Sequence, residues 1–365
     1  MSNETKIGHR EALTLMVALM SAKVFLSTPR NMILIGASAG WLIIILSGIF
    51  SLIGFFFIYS LIKKFPNKNI FEISEAITGK IIGKMIGFLF FLFFLVSTTL
   101  FIRQFAESFI ISILPRTPIS AITILFLILL MYGTLLGIET LSRVAWFFGP
   151  YLLFALLITI IFSFHIDPQL LLPILGKGPL PILKHSLFHI SIFSEIAFLL
   201  VIAPHIRQKE KIFGIGFISI LISIAIHTLI TASVIMTFNY AAAGRLIFPV
   251  FQLTRLITLG EFIQRVEAVF VFLWFFTAAI QTGALFYGTV VSYSQTFKIK
   301  KYRPLAFPMA ILIFSLSLIP DSMTSAVNLD EFILGKYYSI IAFLIPAFLW
   351  LLTFIFKKKS GEKNA

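Results

Sequence analysis

Cysteine is absent from this chain, and charged side chains are scarce. Without cysteine, disulfides, zinc–thiolate sites and thiol redox chemistry are excluded. Charged residues make up only 12% of the sequence, hydrophobic residues make up 59%, and the mean hydropathy is +1.02. Soluble globular domains contain about twice as many charged residues. P-loop, GxSxG and HExxH motifs are also missing, so the sequence indicates no enzyme and predicts no cofactor or metal site.

Long apolar runs recur along the whole chain. A bilayer core needs roughly 20 apolar residues per helix, and ten runs approach or exceed this length. They are continuous rather than alternating, which favours helices over barrel strands. We therefore predict an all-α polytopic membrane protein with ten transmembrane spans, forming one integral membrane domain over residues 1–365. In chain order the spans are 12–29, 41–62, 85–102, 117–138, 144–164, 186–203, 212–240, 268–297, 304–320 and 337–356.

The positive residues behind the net charge of +14 are unevenly distributed between the two sides of the membrane that ten spans would define. With ten spans, 19 of the 29 lysines and arginines fall on the side that carries both termini and 9 fall on the other. Cytoplasmic segments of membrane proteins are enriched in these residues, so we expect cytoplasmic termini and no nucleic-acid partner. The polar residues 1–10 do not resemble a cleavable signal peptide.

The longest inner loop predicts a short helix at the membrane surface. Asn69 can cap this helix, and Glu72 is at its third position. Its apolar face is formed by Ile70, Ile73, Ile77 and Ile81.

The spans divide into two halves of five, residues 10–165 and 184–357. Spans 1 and 6 are first in each half, run in opposite directions, and each contain one charge, Lys23 and Glu195. Interrupted spans at corresponding places of two inverted halves indicate a midplane binding site in secondary transporters. The physical reason is that a broken helix frees backbone groups, which a bilayer tolerates only where ligand, ion or protein satisfies them.

Lys23 and Glu195 are both expected to lie deep in the membrane. Each charge costs roughly 2.5–3.5 kcal/mol on insertion scales, so neither should face lipid. Our hypothesis is an ion pair across the contact of spans 1 and 6. The alternatives are a lysine that extends to the surface on its four-carbon stem and a protonated, hydrogen-bonded glutamate.

Other polar residues of the spans are candidates for lining a ligand path. Packing is the alternative for each isolated Ser or Thr. Glu267 follows Arg265, and a local contact between the two explains it as well as a ligand role does. Arg103 and Glu107 are one turn apart, which favours a local ion pair. The path candidates are Thr98, Thr99, Ser191, Ser194, Thr277, Gln281 and Thr282.

Several segments, in order along the chain, resemble the spore germination permease family. This family comprises the B subunits of germinant receptors, within the amino acid–polyamine–organocation superfamily. The similarity extends over essentially the whole chain. The segments are "STPRNMILIGASAGW", "KKFPNKNIFEISEAITGKIIGK", "IRQFAESF", "LLPILGKGPLPILK", "FPVFQLTRLI", "QRVEAVFVFLWF" and "KYRPLAFP".

The resemblance implies two inverted five-helix repeats, a leucine-transporter-like fold, with a ligand site between broken spans 1 and 6 flanked by spans 3 and 8. It implies a sensing subunit in the inner membrane of the spore, beside a larger A subunit and a C-subunit lipoprotein. The small-molecule germinant is typically an amino acid, and ion release follows binding. The implied ligand contacts are Ser21, Ala22, Lys23, Val24, Thr98, Ser191, Ser194, Glu195, Thr277 and Gln281, and the implied structural or gating residues are Pro29, Arg30, Arg265 and Glu267.

One stretch departs from the family. Where relatives often have small residues, commonly glycines, this chain has Ser21, Ala22, Lys23 and Val24. The Lys23 ammonium stands either where related transporters hold a cation or where it binds the carboxylate of an amino acid. A secondary active amino-acid transporter is the alternative function, and a structural scaffold, against which the buried Glu195 argues, is the third.

Overall fold

The structure, a computed structural model, describes residues 6–161, 166–256, 266–333 and 337–361, with the backbone alone for 152–153, 155–161, 266–267, 269 and 356–361. Helices joined by short connections make up this part of the chain, which confirms the all-α prediction. The helices are α1 (His9–Ser21), α2 (Thr28–Gly36), α3 (Gly40–Lys64), α4 (Ile70–Ser112), α5 (Ile119–Leu136), α6 (Ile138–Ile161), α7 (Pro179–Phe188), α8 (Leu199–Ile202), α9 (Ile212–Ala243), α10 (Pro249–Arg255), α11 (Val266–Thr296), α12 (Ala306–Ser317), α13 (Met323–Ile333) and α14 (Ile345–Gly361).

Six helical segments of the described chain are long and apolar enough to cross a membrane. The other predicted spans fall on α1, α6, α12 and α14, which are interrupted, short or only partly described. The count of ten spans, the single domain and the inverted halves therefore stay predictions. The six segments are Thr28–Lys64, Ile70–Ser112, Ile119–Leu136, Pro179–His205, Lys209–Ala243 and Phe270–Thr296.

The segments that carry the candidate site are the most enclosed ones. Within its most apolar window, Pro179–His205 is 78% buried and Ile70–Ser112 is 72% buried, against 28% for Ile119–Leu136. α4 packs along α11, and α1 lies against α6, α9 and α11. Residues 189–198 of span 6 pack against α1 and α3, so spans 1 and 6 both lie inside the bundle.

Glycines allow α3 and α9 to approach closely. A Cβ atom on Gly216 would lie 2.2 Å from the ring of Phe55, and one on Gly48 would lie 2.2 Å from Ile224. Lipid tails are as apolar as the helices, so helix association in a bilayer depends on such close packing rather than on the hydrophobic effect.

The surface helix predicted in the inner loop is confirmed at its start. Asn69 Oδ1 accepts a hydrogen bond from the Glu72 N–H at 3.0 Å, and Glu72 Oε2 accepts one from the Asn69 N–H at 2.9 Å. Gly79, with φ +84°, then bends the chain into the membrane part of α4. Because of this bend Ile81 does not share the buried face of Ile70 but is 79% exposed, and the prediction was wrong for that residue.

Candidate functional site

Span 1 is broken at the position of its charge. α1 ends at Ser21, Ala22–Phe25 form a 3₁₀ turn, and α2 begins at Thr28. Between them Leu26 has φ −95° and ψ −141°, which no helix contains. Pro29 lies in the first turn of α2, where its missing N–H needs no helical partner. The break therefore forms without glycine.

Span 6 loses its α-helical geometry around Glu195. After α7, residues His189–Phe198 form a 3₁₀ segment of ten residues before α8 begins. Phe193 departs furthest, with φ −106° and ψ 15°. 3₁₀ runs longer than three or four residues are uncommon, and one inside a helix often marks a functional hinge or strain.

Side chains satisfy backbone carbonyls at both breaks. The Met20 carbonyl accepts a hydrogen bond from His227 Nε2 at 3.1 Å. The Ile192 carbonyl accepts one from Lys23 Nζ at 3.4 Å. A break inside a membrane is tolerated only where such partners exist, so His227 and Lys23 help to hold the broken geometry.

Lys23 and Glu195 form an ion pair between the two breaks, through Nζ and Oε1. Lys23 is 9% exposed and Glu195 is 1% exposed. The predicted pairing is confirmed, and the lysine does not extend to the surface. Removing one partner of a buried pair typically costs about 3–5 kcal/mol, because it leaves an uncompensated charge.

Two small cavities adjoin the Lys23 side chain, with volumes of about 30 and 40 Å³. Both have Lys23, Thr28 and Asp330 in their walls. A water needs about 10–15 Å³ on this scale, so each cavity has room for two or three water-sized positions. The smaller cavity is also lined by Ser97, Gln104, Glu195, Gln281 and Tyr338, and the larger by Ser27, Asn31, His189, Ser191 and Glu331.

Several buried polar atoms around the ion pair lack a hydrogen-bond partner within the described chain. They are Glu195 Oε2, Ser194 Oγ, and both the oxygen and the nitrogen of the Gln281 amide. An unsatisfied buried polar group costs about 1–3 kcal/mol, and native structures contain few of them. These atoms are candidate contacts for a polar ligand.

Gln104 and Asp330 belong to the site although the sequence did not indicate them. Ser27 Oγ donates to Gln104 Oε1 at 3.2 Å, and Gln104 Nε2 donates to Asp330 Oδ2 at 2.9 Å. Asp330 lies on α13, in the connection between spans 9 and 10. Burial raises the pKa of its carboxyl to about 6, while the Gln104 hydrogen bond and the Lys23 charge oppose that rise. The signal that identified Lys23 and Glu195 is a charge inside an apolar run. Asp330 lies between two such runs, so this signal does not identify it.

Six of the predicted ligand residues line neither cavity. Ala22 and Val24, beside Lys23, are fully buried in the packing of the bundle. The hydroxyls of three others have protein partners: Ser21 Oγ is 3.1 Å from Ser223 Oγ, Thr98 donates to the Phe94 carbonyl at 2.6 Å, and Thr277 donates to the Leu273 carbonyl at 2.8 Å. The sixth is Ser194, whose Oγ has no partner within the described chain.

Of the four predicted structural or gating residues, two have an observed structural role and two have side chains that the structure does not describe. Pro29 starts α2, and Arg30 Nε donates to the Gly244 carbonyl at 3.1 Å, joining α2 to the end of α9. Arg265 and the side chain of Glu267 lie outside the described residues. The local pair of Arg103 and Glu107 is confirmed, at 2.7 Å.

The chain is similar over nearly its whole length to spore germination proteins. The family profile described as "Spore germination protein" matches residues 6–325. Spore germination protein KB of Bacillus subtilis (strain 168) is 28% identical over 369 residues, covering 99% of this chain and 98% of that protein. Spore germination protein A2 of the same organism is 30% identical over 320 residues, covering 86% of each.

The fold is similar to that of a membrane transporter. A Na⁺-coupled sialic acid symporter, solved in a substrate-bound outward-open state, superposes with a TM-score of 0.64. The match covers 96% of this chain and 78% of the symporter chain, with 13% sequence identity. At this identity the likeness concerns the fold alone.

Proposed function

Since the chain belongs to the spore germination protein family, we propose that it is the germinant-sensing membrane subunit of a spore germinant receptor. A small nutrient binds near the midplane between the breaks of spans 1 and 6, and binding triggers ion release and germination. The observation that carries this proposal is the buried ion pair of Lys23 and Glu195, which joins both breaks beside unsatisfied polar groups.

The charges of the site fit an amino acid. One ammonium, on Lys23, stands with two carboxyl groups, on Glu195 and Asp330, in the wall of one cavity. Lys23 can bind the carboxylate of a zwitterion, and Glu195 Oε2 or Asp330 can bind its ammonium. Opposite charges attract more strongly in a buried site than in water, so a zwitterion gains more here than an uncharged sugar does.

Binding requires the site to open. The cavities hold only two or three water-sized positions each, whereas even the smallest amino acid has five heavy atoms. The Gln104–Asp330 hydrogen bond joins α4 to α13 across the smaller cavity, so separating α13 from α4 would enlarge it. A ligand that binds the open form better shifts the population towards it, which provides a signal to partner subunits.

The partner subunits in this proposal are a larger A-subunit membrane protein and a C-subunit lipoprotein in the inner membrane of the spore. Both termini face the cytoplasm. In support, the Ile7 N–H donates to the His205 carbonyl at 2.8 Å, and Lys64 lies 5.0 Å from the ring of Phe354. These contacts support the proposed orientation, because Ile7 and Phe354 lie beside the lysine-bearing segments 205–211 and 63–64.

Spores of a strain that lacks the gene test this function. We expect them to lose the response to one class of amino acid within a panel of amino acids, sugars and nucleosides, and the wild-type gene to restore it. A gene with Lys23→Met should not restore the response, whereas one with Lys63→Met, on the exposed inner surface, should. An unchanged response of the deletion strain to the whole panel would contradict the proposal.

The alternative function is a secondary active amino-acid transporter. Its specific support is the fold shared with a symporter, together with two broken spans whose breaks meet at the ion pair. Purified protein in liposomes separates the two functions. Concentrative amino-acid uptake by this chain alone would favour the transporter, and ligand binding without uptake would favour the sensor.

A further inference from the structure

A lipid-facing groove lies at the end of α4 and α11 that faces the lysine-rich loops, away from the ion-pair site. It has a volume of about 560 Å³. The apolar side chains that form it are between 39% and 79% exposed. They are Ile81, Met85, Phe88, Leu89 and Phe297.

A polar cavity of about 630 Å³ adjoins this groove and shares Lys80, Lys84 and Phe297 with it. Its walls also contain Lys298 and Lys300, so four lysines stand against two glutamates, Glu72 and Glu75. Lys298 is paired with Glu75 at 2.8 Å. Within the described chain no carboxylate forms an ion pair with Lys80, Lys84 or Lys300. The cavity therefore keeps an excess of positive charge beside an apolar surface.

The backbone that carries the lysines is held in place. The positive φ of Gly79 sets the bend directly before Lys80. At Gly83 a Cβ atom would lie 2.6 Å from the Glu75 Cα, so the surface helix and the membrane helix touch there. The loop after α11 is closed by the Ile299 N–H, which donates to the Ser294 carbonyl at 2.8 Å. These contacts hold each lysine-bearing segment locally, and the packing of α4 along α11 together with the Lys298–Glu75 ion pair joins the two segments.

We propose that the groove and the cavity together bind one anionic phospholipid. Its head-group phosphate lies among Lys80, Lys84 and Lys300, and its acyl chains lie along Met85 and Phe88. Charge complementarity selects this occupant, because three lysines without a carboxylate partner favour an anionic head group over a zwitterionic one. Basic pockets between membrane helices are known to hold such head groups. The inference does not depend on what binds at the ion-pair site.

Native mass spectrometry of the delipidated full chain tests the site, with phosphatidylglycerol and phosphatidylcholine as probes. We expect one phosphatidylglycerol to stay bound and phosphatidylcholine to dissociate. Each lysine at an anionic lipid surface contributes roughly fivefold in affinity, so the triple variant K80Q/K84Q/K300Q should bind on the order of a hundredfold more weakly. The matched control K63Q/K68Q/K211Q removes three exposed lysines of the same membrane face and should bind as the wild type does.

Further variants and probes make the outcome decisive. The triple arginine variant K80R/K84R/K300R keeps the charge and should keep the lipid, which separates charge loss from misfolding. Equal loss in the glutamine variant and its matched control would mean a general surface attraction and would overturn the proposal. It would also be overturned if phosphatidylcholine bound equally, or if millimolar inorganic phosphate displaced the phospholipid, since the groove would then have no role.

Discussion

The pairing of Lys23 with Glu195 explains why two charges are tolerated in an apolar bundle. Each would be costly alone, and together they neutralise each other while Lys23 also donates to the Ile192 carbonyl. The pair does not use the whole carboxylate, since Glu195 Oε2 has no partner within the described chain. At the scale of single residues, the pair is thus neutral and still holds an acceptor for a ligand.

Removing one partner of this pair should lower the free energy of unfolding more than removing both partners does. We expect Lys23→Met to lower the free energy of unfolding by about 3–5 kcal/mol, because Glu195 is left buried without a counter-charge. The double variant Lys23→Met/Glu195→Gln, which buries no charge, should recover a large part of that loss. Thermal unfolding in detergent measures both effects. Damage in the double variant equal to or greater than the sum of the two single losses would rule out a direct coupling.

Gln281 offers a second test at the same scale, because its buried amide has no partner within the described chain. Replacing it with leucine removes an unsatisfied polar group worth about 1–3 kcal/mol. We expect Gln281→Leu to raise the melting temperature of the purified protein and to weaken the germinant response. Thr282→Val is the control, since Thr282 already donates to the Ala278 carbonyl. A variant that is less stable, or that keeps full germinant sensitivity, would show that Gln281 serves packing.

At the scale of elements, the breaks in spans 1 and 6 are held by their neighbours. Neither 3₁₀ segment contains glycine, so flexible backbone does not explain them. His227 on α9 bonds the Met20 carbonyl before one break, and Lys23 bonds a carbonyl inside the other. α9 is therefore both a scaffold for the break in span 1 and, through Gly216, a close neighbour of α3.

The contact between α3 and α9 should be sensitive to a single methyl group. Gly216→Ala places a Cβ atom 2.2 Å from the Phe55 ring, and overpacking of this kind typically costs about 1–3 kcal/mol. Gly214→Ala, two residues away, has no atom within 4 Å of the new Cβ and should be neutral or slightly stabilising, since alanine favours helix over glycine. The melting temperature in detergent should therefore fall for Gly216→Ala only. A fall in both variants would indicate that the loss of stability comes from helix geometry rather than from the contact with Phe55.

At the scale of the whole molecule, the chain is an all-helical membrane protein with the fold of a transporter. Its enclosed segments meet at the ion pair, and its exposed apolar residues, such as Leu125 at 69%, lie on helices at the periphery. The lysine-bearing segments 80–84 and 298–300 line one cavity at the end of α4 and α11. This arrangement fits a sensor that is embedded in the bilayer and transmits a change at its centre to neighbouring subunits.

The natural absence of cysteine makes the orientation directly testable. We expect single cysteines introduced as Lys63→Cys or Lys211→Cys to be protected from a membrane-impermeant maleimide in intact cells. Arg116→Cys, on the opposite face, should react. Permeabilised cells provide the control, in which all three should react. The reverse pattern in intact cells would place the termini outside.

Composition and local pattern alone were enough to predict a helical membrane protein and to single out its two unusual charges. Uncharged runs predict helices because a bilayer offers no partner for a free backbone group. The cap at Asn69 was predictable because it depends on residues three positions apart. The bend at Gly79 was not foreseen, and it turned Ile81 away from the predicted apolar face towards the lipid.

The tertiary structure decided which residues that are distant in sequence contact each other. Asp330 and Gln104 are 226 positions apart and form a hydrogen bond, and no local pattern relates them. Ala22 and Val24 adjoin Lys23 in sequence but pack into the bundle, because the 3₁₀ turn sends consecutive side chains in different directions. The sequence by itself thus determined that buried charge must be compensated, since the cost of a charge in a bilayer holds for any fold. Only the packing of distant helices determined its partners and left the small cavities beside them.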